Sequence, residues 1–509
     1  MKVKRLHLQN YGRFEDLKID FAPTSEKAGN VTVIVGNNGA GKSQILQALA
    51  TGLSWFVNGV LDSSGEPTNR TKEDNEFLKF PHEGEYIRQS QIKNAKENVS
   101  LKLLFLDIKE EVKSIKVSAT RKEVLSPAVY GIDDEGFNSL IEQYTNIFGY
   151  NREASLPLIA NYTIDRNVDI NNIDASYSFV LDQLSAYKDF LNAGSNYEEF
   201  FQWFRDNEDV ENEINKDKVQ DEELNNAESE LYKLRNKKEI IEEMIDDVEA
   251  EGGAVLYRSL VKITAEIDDK QREISELFIR SDVLAASIMK GFKSQLDHVR
   301  SAVERFTSFK NLRIRRLNKP TMILEKNGGE YDINQLSQGE KSLLALVGDI
   351  ARRLVILNPS LDNPLEGKGV VMIDEVDLHL HPKWQHDLID KFVKTFPNVQ
   401  FILTTHSPHV ISDRSDILVY ALDDGELTQI PNVYGEDVNT VLTKVFDVPI
   451  RDPKAQADFD KVAELIYQKK FESAENYIIK LEKQMPENLE LLRCRLHLTQ
   501  AQLAAKKEG

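Results

Sequence analysis

The sequence is short of cysteine, of tryptophan and of positive charge. Its 509 residues include one cysteine, Cys494, and three tryptophans. A disulfide framework and a cysteine-built zinc site are therefore excluded, and a reducing compartment, the cytoplasm, is expected. Lys and Arg number 64 against 84 Asp and Glu, a formal charge of −20. That balance excludes a basic coat over the whole molecule, so nucleic acid could be met only by local patches. No apolar run approaches the roughly 20 residues of a membrane-spanning helix, and no membrane partner is expected. The opening MKVKRLHLQNYGRF alternates charged with apolar residues and reads as neither a secretory leader nor a transit peptide. What is present is a 41% share of hydrophobic residues, enough for sizeable cores, in a length that suggests about three units.

The first 60 residues read as three strands and a helix. The third strand, Val31–Val35, is a β-branched run of the kind buried on both faces. It leads into Gly36-Asn37-Asn38-Gly39-Ala40-Gly41-Lys42-Ser43, a complete phosphate-binding loop placed between strand and helix as such a loop requires. Glycines let backbone N–H groups curl around a phosphate, and the helix N-terminus adds its positive dipole end. Lys42 is suited to the β- and γ-phosphates of ATP, and Ser43 to Mg2+ through its hydroxyl. Residues 59–98 are polar and read as a surface excursion. Strands are expected at 99–107, 113–121 and 156–160.

Val370-Val-Met-Ile-Asp374-Glu375 reads as a buried strand that delivers two carboxylates at its C-terminal edge. Asp374 is suited to Mg2+, and Glu375 to polarise an attacking water as general base. Gln335-Leu-Ser337-Gln338-Gly339-Glu340 starts a helix with a capping box. His406 follows another apolar strand, Phe401–Thr405.

Residues 200–300 change character. Arg205 to Glu251 holds 18 acidic against 7 basic residues, best read as a solvated helix face. Heptads run through Leu224, Leu231 and Ile245 with Ala227, Leu234, Ile241 and Val248, then through Leu256, Leu260, Ile263, Ile267, Ile274 and Leu277. They predict a helical hairpin with its tip at Gly252-Gly253 and arms of about 26 residues. A helix is expected from about Lys383. Lys310, Arg313, Arg315, Arg316 and Lys319 mark a basic strand with two readings: a nucleic-acid patch, or a charged edge that discourages aggregation. Two amphipathic helices over 455–505 resemble one tetratricopeptide unit. Such a pair cannot bury all its apolar surface alone, so a partner-binding or assembly role is expected.

Four motifs in this order resemble an ABC-type ATPase head. The resemblance implies that Ser337, Gln338, Gly339 and Glu340 form the signature facing a nucleotide held by a second subunit. It makes His406 a γ-phosphate switch histidine, Asp377 an acid crossing to the partner site, and Arg13 a basic residue near the nucleotide. A surface arginine is the equal alternative for Arg13. No confident Q-loop glutamine is found; Asn161–Arg166 occupies its neighbourhood. The interval of about 290 residues between loop and signature, with its hairpin, resembles the RecF/SMC branch.

The run from Asp374 through His379-Leu-His381-Pro-Lys-Trp-Gln385 to His406-Ser-Pro is similar to the AAA_15/OLD-like group of ATPases, as are Phe200–Arg205 and Gly348–Arg353. The layout resembles the PtuA ATPase family of Septu-type anti-phage systems, which also occurs beside retrons. That resemblance implies an α/β, ABC-type head with a helical hairpin insertion and a C-terminal helical hairpin. Its parts are 1–199 and 306–450 for the head, 200–305 for the insertion and 451–509 for an assembly region. The implied function is an ATP-hydrolysing regulatory subunit, dimeric or a higher homo-oligomer. It would gate a separate HNH nuclease of PtuB type and meet DNA or RNA, whether reverse-transcribed DNA, tRNA or phage nucleic acid. No nuclease site of its own is expected, and the His379/His381 pair lacks a third metal ligand. The alternatives are a RecF-like DNA-repair ATPase that loads partners on DNA and a module that holds ATP without turnover.

Overall fold

A computed structural model of the chain describes residues 1–63, 84–94, 96–120, 128–151, 153–164, 183–193, 197–246, 250–280, 283–316, 320–412, 414–431, 433–445 and 452–508. In chain order the strands are β1 (Lys2–Tyr11), β2 (Phe14–Asp20), β3 (Val31–Val35), β4 (Asn98–Leu106), β5 (Val112–Thr120), β6 (Val129–Asp133), β7 (Leu158–Tyr162), β8 (Lys310–Arg315), β9 (Thr321–Lys326), β10 (Gly329–Asp332), β11 (Gly369–Ile373), β12 (Val399–Thr405), β13 (Leu418–Asp423) and β14 (Glu426–Gln429). The helices are α1 (Lys42–Ser63), α2 (Glu135–Tyr150), α3 (Tyr197–Asp246), α4 (Ala250–Arg280), α5 (Val283–Thr307), α6 (Gln338–Leu357), α7 (Pro382–Gln385), α8 (Leu388–Thr395), α9 (Pro408–Ile411), α10 (Val438–Lys444), α11 (Pro453–Tyr467), α12 (Phe471–Gln484) and α13 (Leu489–Glu508).

The expected α/β class holds. The central sheet has the order β14-β13-β3-β12-β11-β7 and is parallel except for β14. Strands β3, β7, β11 and β12 are buried at every residue, which is why they read as unbroken apolar runs. Parallel strands bring their C-terminal ends to one edge, where open α/β sheets bind ligands. That edge gathers the segments after Val35, Tyr162, Ile373 and Thr405. A second, antiparallel sheet, β2-β1-β4-β5-β6, alternates buried and exposed residues. Gln400 of β12 joins the two sheets: its side chain bonds Val3 N and Val3 O, each at 2.8 Å, and Ala22 O at 2.7 Å. A small third sheet, β10-β9-β8, leads into α6.

The insertion is longer than expected. Helix α3 spans 50 residues, about 75 Å at 1.5 Å per residue, and α4 spans 31. The predicted tip is corrected: Gly252 and Gly253 lie inside α4, which begins at Ala250, and residues 247–249 lie outside the described residues. Of the seam, Ala227 and Ile267 are buried, and Lys270 reaches Glu230 at 2.7 Å. The side chains of Leu224, Ile245, Val248 and Leu277 lie outside the described residues.

One of the two readings of the basic strand gains support here, and one helix expectation is corrected. The basic strand is spoken for by acids. Arg313 pairs with Glu330 at 2.6 Å, Arg315 with Asp332 at 3.3 Å, and Lys310 with Glu304 at 3.9 Å. Arg316 pairs with Glu208 at 2.9 Å and Asp209 at 2.7 Å. Lys319 lies outside the described residues. The arginines tie β8 to β10 and to α3, which favours the structural reading over the nucleic-acid patch. The helix expected from Lys383 is split into α7 and α8 by Asp387, which takes a left-handed φ of 62°.

The chain divides into two compact units, Met1–Pro431 and Asn432–Gly509. The second begins upstream of residue 451, where the assembly region was expected. It contains three long helices where two were expected. Phe459 and Val462 of α11, Ala474, Ile478 and Leu481 of α12, and Leu491 and Leu498 of α13 form one buried core. The third helix covers what a pair would leave exposed.

Candidate nucleotide site

The phosphate loop leaves β3 at Gly36 and enters α1 at Lys42. Its glycines are there for two reasons. A Cβ on Gly36 would stand 2.2 Å from the Leu422 carbonyl, closer than any side chain can sit. Gly39 and Gly41 take φ of +77° and +111°, which side chains disfavour. Arg13 lies against this loop: its guanidinium donates to the Gly39 carbonyl, and its stem packs on Gly41. The turn carrying it is thus part of the site's wall.

Lys42 folds back into the loop. Its Nζ donates to Gly36 O at 2.9 Å and Asn37 O at 3.2 Å, and it stands 2.8 Å from His406 Nε2. Burial pushes the Lys42 pKa down, against the pull of Asp374, Glu375 and Asp377. His406 leaves the end of β12. Its pKa is lowered first by burial and then by Lys42, with the same three carboxylates opposing. Glu375 Oε1 is 4.0 Å from His406 Nε2.

The two acids after β11 are held by β12. Thr404 donates its hydroxyl to Asp374 Oδ1 and accepts from Glu375 N at 2.7 Å. Asp374 N donates to Tyr162 O at 2.8 Å, on the other neighbouring strand. Glu375 sits at φ +46°, an uncommon conformation for a residue with a side chain and one found at functional sites. Thr405 donates to the Asp377 carboxylate.

Ser43 and the buried Asp374 line one cleft of about 480 Å³ with Gln47, Gln91, Asn161 and Thr163. Oxygen donors of this kind suit a hard divalent cation such as Mg2+. The buried Asn161 Oδ1, beside that cleft, has no hydrogen-bond partner among the described residues. Ser43 and Asp374 are the residues that would hold the metal, with Asn161 in the Q-loop neighbourhood. Gln91 was missed. Residues 84–94 read as surface excursion, yet Ile87 and Ile92 are buried and the segment turns back to wall the cleft. Only the apolar pair in a polar stretch could have signalled it.

The signature cap is formed as the capping box predicts. Ser337 N and Oγ donate to Glu340 Oε2 at 3.0 and 2.9 Å, and Ser337 Oγ accepts from Glu340 N at 3.4 Å. Burial opposes charge on Glu340, yet Lys326 and Ser337 hold its pKa below the usual carboxylate range. Gln338 opens α6. Gly339 packs on the loop after β11: a Cβ there would be 2.2 Å from His379 O. The structure thus brings Arg13, Lys42, Ser43, Asp374, Glu375 and His406 to one edge. Ser337–Glu340 meet the Asp377–Leu380 loop. His381 serves as the N-cap of α7, accepting from Lys383 N at 3.2 Å, and no metal-binding cluster occurs among the described residues.

The chain is 30% identical over 493 residues to the retron Ec83 probable ATPase of Escherichia coli, covering 92% of this chain and 80% of that protein. It is 34% identical over 423 residues to the retron Vc95 probable ATPase of Vibrio cholerae serotype O1 biovar El Tor, covering 81% and 71%. Similarity to the Septu protein PtuA of Bacillus mycoides is 33% over 120 residues, 22% of this chain and 16% of that one. Among solved structures, an Smc head domain with an extended coiled coil, bound to the C-terminal domain of ScpA, from Pyrococcus furiosus overlaps at a TM-score of 0.41 and 15% identity. It covers 84% of this chain and 96% of that one. The AAA_15 family, described as an AAA ATPase domain, matches residues 1–411. The chain belongs to the AAA_15 family of AAA ATPase domains.

Proposed function

We propose that this chain is the ATP-binding and ATP-hydrolysing regulatory subunit of an anti-phage defence assembly. In this reading two heads close on two ATP molecules, and the closed state gates a separate HNH-type nuclease. One observation carries it. Lys42, Asp374, Glu375 and His406 share one sheet edge, while the cap at Ser337–Gly339 engages Glu340, itself paired with Lys326, and the loop after β11. A second copy would then supply the cap over each nucleotide. The retron association in the names of the relatives supports the defence setting.

Each residue has a task in this reading. Lys42 and the loop amides hold the β- and γ-phosphates. Mg2+, when bound, would neutralise phosphate charge beside Ser43 and Asp374. Glu375 takes a proton from the attacking water, and His406 contacts the γ-phosphate. The C-terminal unit is the assembly element. Leu489, Leu492, Leu496 and Leu503 of α13 are more than half exposed and fall on one helix face.

Glu375→Gln keeps the shape and loses the base. It should bind ATP, slow hydrolysis by about 10²–10⁴-fold, and accumulate as an ATP-bound dimer in sedimentation. A mixture of Lys42→Ala and Ser337→Arg chains should recover at most one good site per dimer. Full turnover by a monomer would defeat this reading.

A further inference from the structure

Gln385 closes the run His379-Leu-His381-Pro-Lys-Trp-Gln385, and the catalytic roles above do not use it. Its amide bridges two loops. Nε2 donates to Leu380 O at 3.0 Å and, more weakly, to Asp377 O at 3.5 Å. Oε1 accepts from Ser407 Oγ at 2.8 Å. Ser407 is the buried residue directly after His406, and its backbone N–H bonds Thr405 Oγ1 at 2.9 Å. Thr405 in turn bonds the Asp377 carboxylate. On the far side of the same loop, His379 at φ +62° presents its carbonyl to Gly339, with no room there for a Cβ.

We propose that Gln385 is a positioning residue that couples the His406 loop to the signature cap of the same subunit. Gln385 fixes the Asp377–Leu380 loop relative to Ser407, and the loop carries the His379 carbonyl on which Gly339 rests. A shift of His406 on meeting a γ-phosphate would then move the cap that this subunit offers to its partner's nucleotide. Such a chain of tight contacts and hydrogen bonds can carry coupling between sites because it has few ways to yield gradually. The inference rests on the head-dimer reading and adds the route by which the two sites inform each other.

The test uses the full chain in the Glu375→Gln background, where ATP binding and ATP-driven dimerisation are read separately. Gln385→Glu keeps an acceptor for Ser407 but loses the donation to Leu380 O; Ser407→Ala removes the other half. Each should leave ATP affinity, titrated with a fluorescent ATP analogue, within about threefold. Each should weaken ATP-dependent dimerisation in sedimentation roughly tenfold, within the range of ordinary coupling energies. The double variant should be no weaker than the weaker single one, as expected for two ends of one bridge. Parental dimerisation in Gln385→Glu would overturn the inference. So would a loss of ATP affinity in step with dimerisation, together with a lowered melting temperature, for then Gln385 merely holds the fold. If the Glu375→Gln parent binds ATP and does not dimerise, the head-dimer reading fails, and this inference with it.

Discussion

His406 shows how a site sets the charge of one residue. Burial and the Lys42 ammonium at 2.8 Å disfavour a proton on the ring, and three carboxylates do not fully offset them. Its pKa lies below the ordinary 6.5, so the ring is neutral at pH 7 and can accept from Lys42. The linkage sign follows. An unfolded histidine takes its proton at higher pH than this folded one, so the unfolded state binds more protons in the acid range. The stability that His406 contributes is present above about pH 6.5 and declines below it. His406→Asn, which cannot titrate, should therefore gain on the wild type between pH 7.5 and pH 5.5 in nucleotide-free melting experiments. A difference in melting temperature that is constant with pH would count against this assignment.

At the scale of elements, α6 is the member on which others converge. Its N-terminus is the signature cap. Halfway along, Gly348 lets the Phe200 ring of α3 approach; a Cβ would meet that ring at 2.6 Å. Next to it Asp349 is buried with Arg352 at 2.6 Å, Arg353 at 2.8 Å and the Tyr162 hydroxyl at 2.9 Å. Burial opposes the Asp349 charge, yet the two guanidiniums hold its pKa far below the usual range. Arg353 is 1% exposed and also holds Ala186 O at 2.5 Å and Lys188 O at 2.9 Å. Removing one member of a buried charged cluster leaves the others uncompensated. Asp349→Ala should cost about 3–5 kcal/mol in denaturant unfolding. Tyr162→Phe, which leaves the ion pairs intact, should cost only about 1 kcal/mol. Equal losses would show that the hydroxyl, not the charge, anchors the cluster. The sequence flagged Gly348–Arg353 and Phe200–Arg205 only by resemblance. No local pattern says that residues about 150 apart will pack together.

At the scale of the whole molecule, the two units carry separate cores. Met1–Pro431 contains every nucleotide motif, and Asn432–Gly509 has the three-helix core around Val462, Ile478 and Leu491. Expressed alone, residues 432–509 should give a helical circular dichroism spectrum and a cooperative melt. Residues 1–431 should retain ATP affinity within a few-fold while losing assembly with the partner. Loss of ATP binding in 1–431 would mean that the C-terminal unit supports the head after all.

What the sequence determined by itself is what local chemistry dictates. Buried parallel strands must be continuous apolar runs, a phosphate loop must have glycines where the backbone turns, and a capped helix must show its cap. So β3, β11, β12, the Gly36–Ser43 loop and the Ser337 cap were legible. Only the tertiary structure decided the rest. It turned residues 84–94 back onto the cleft, gave Arg313, Arg315 and Arg316 acidic partners, and kept Gly252-Gly253 inside α4, since one or two glycines weaken a helix without ending it. It also added α13 to the C-terminal pair and gave Gln385 its two loops. These are long-range matches of shape and charge, which no window of neighbouring residues contains.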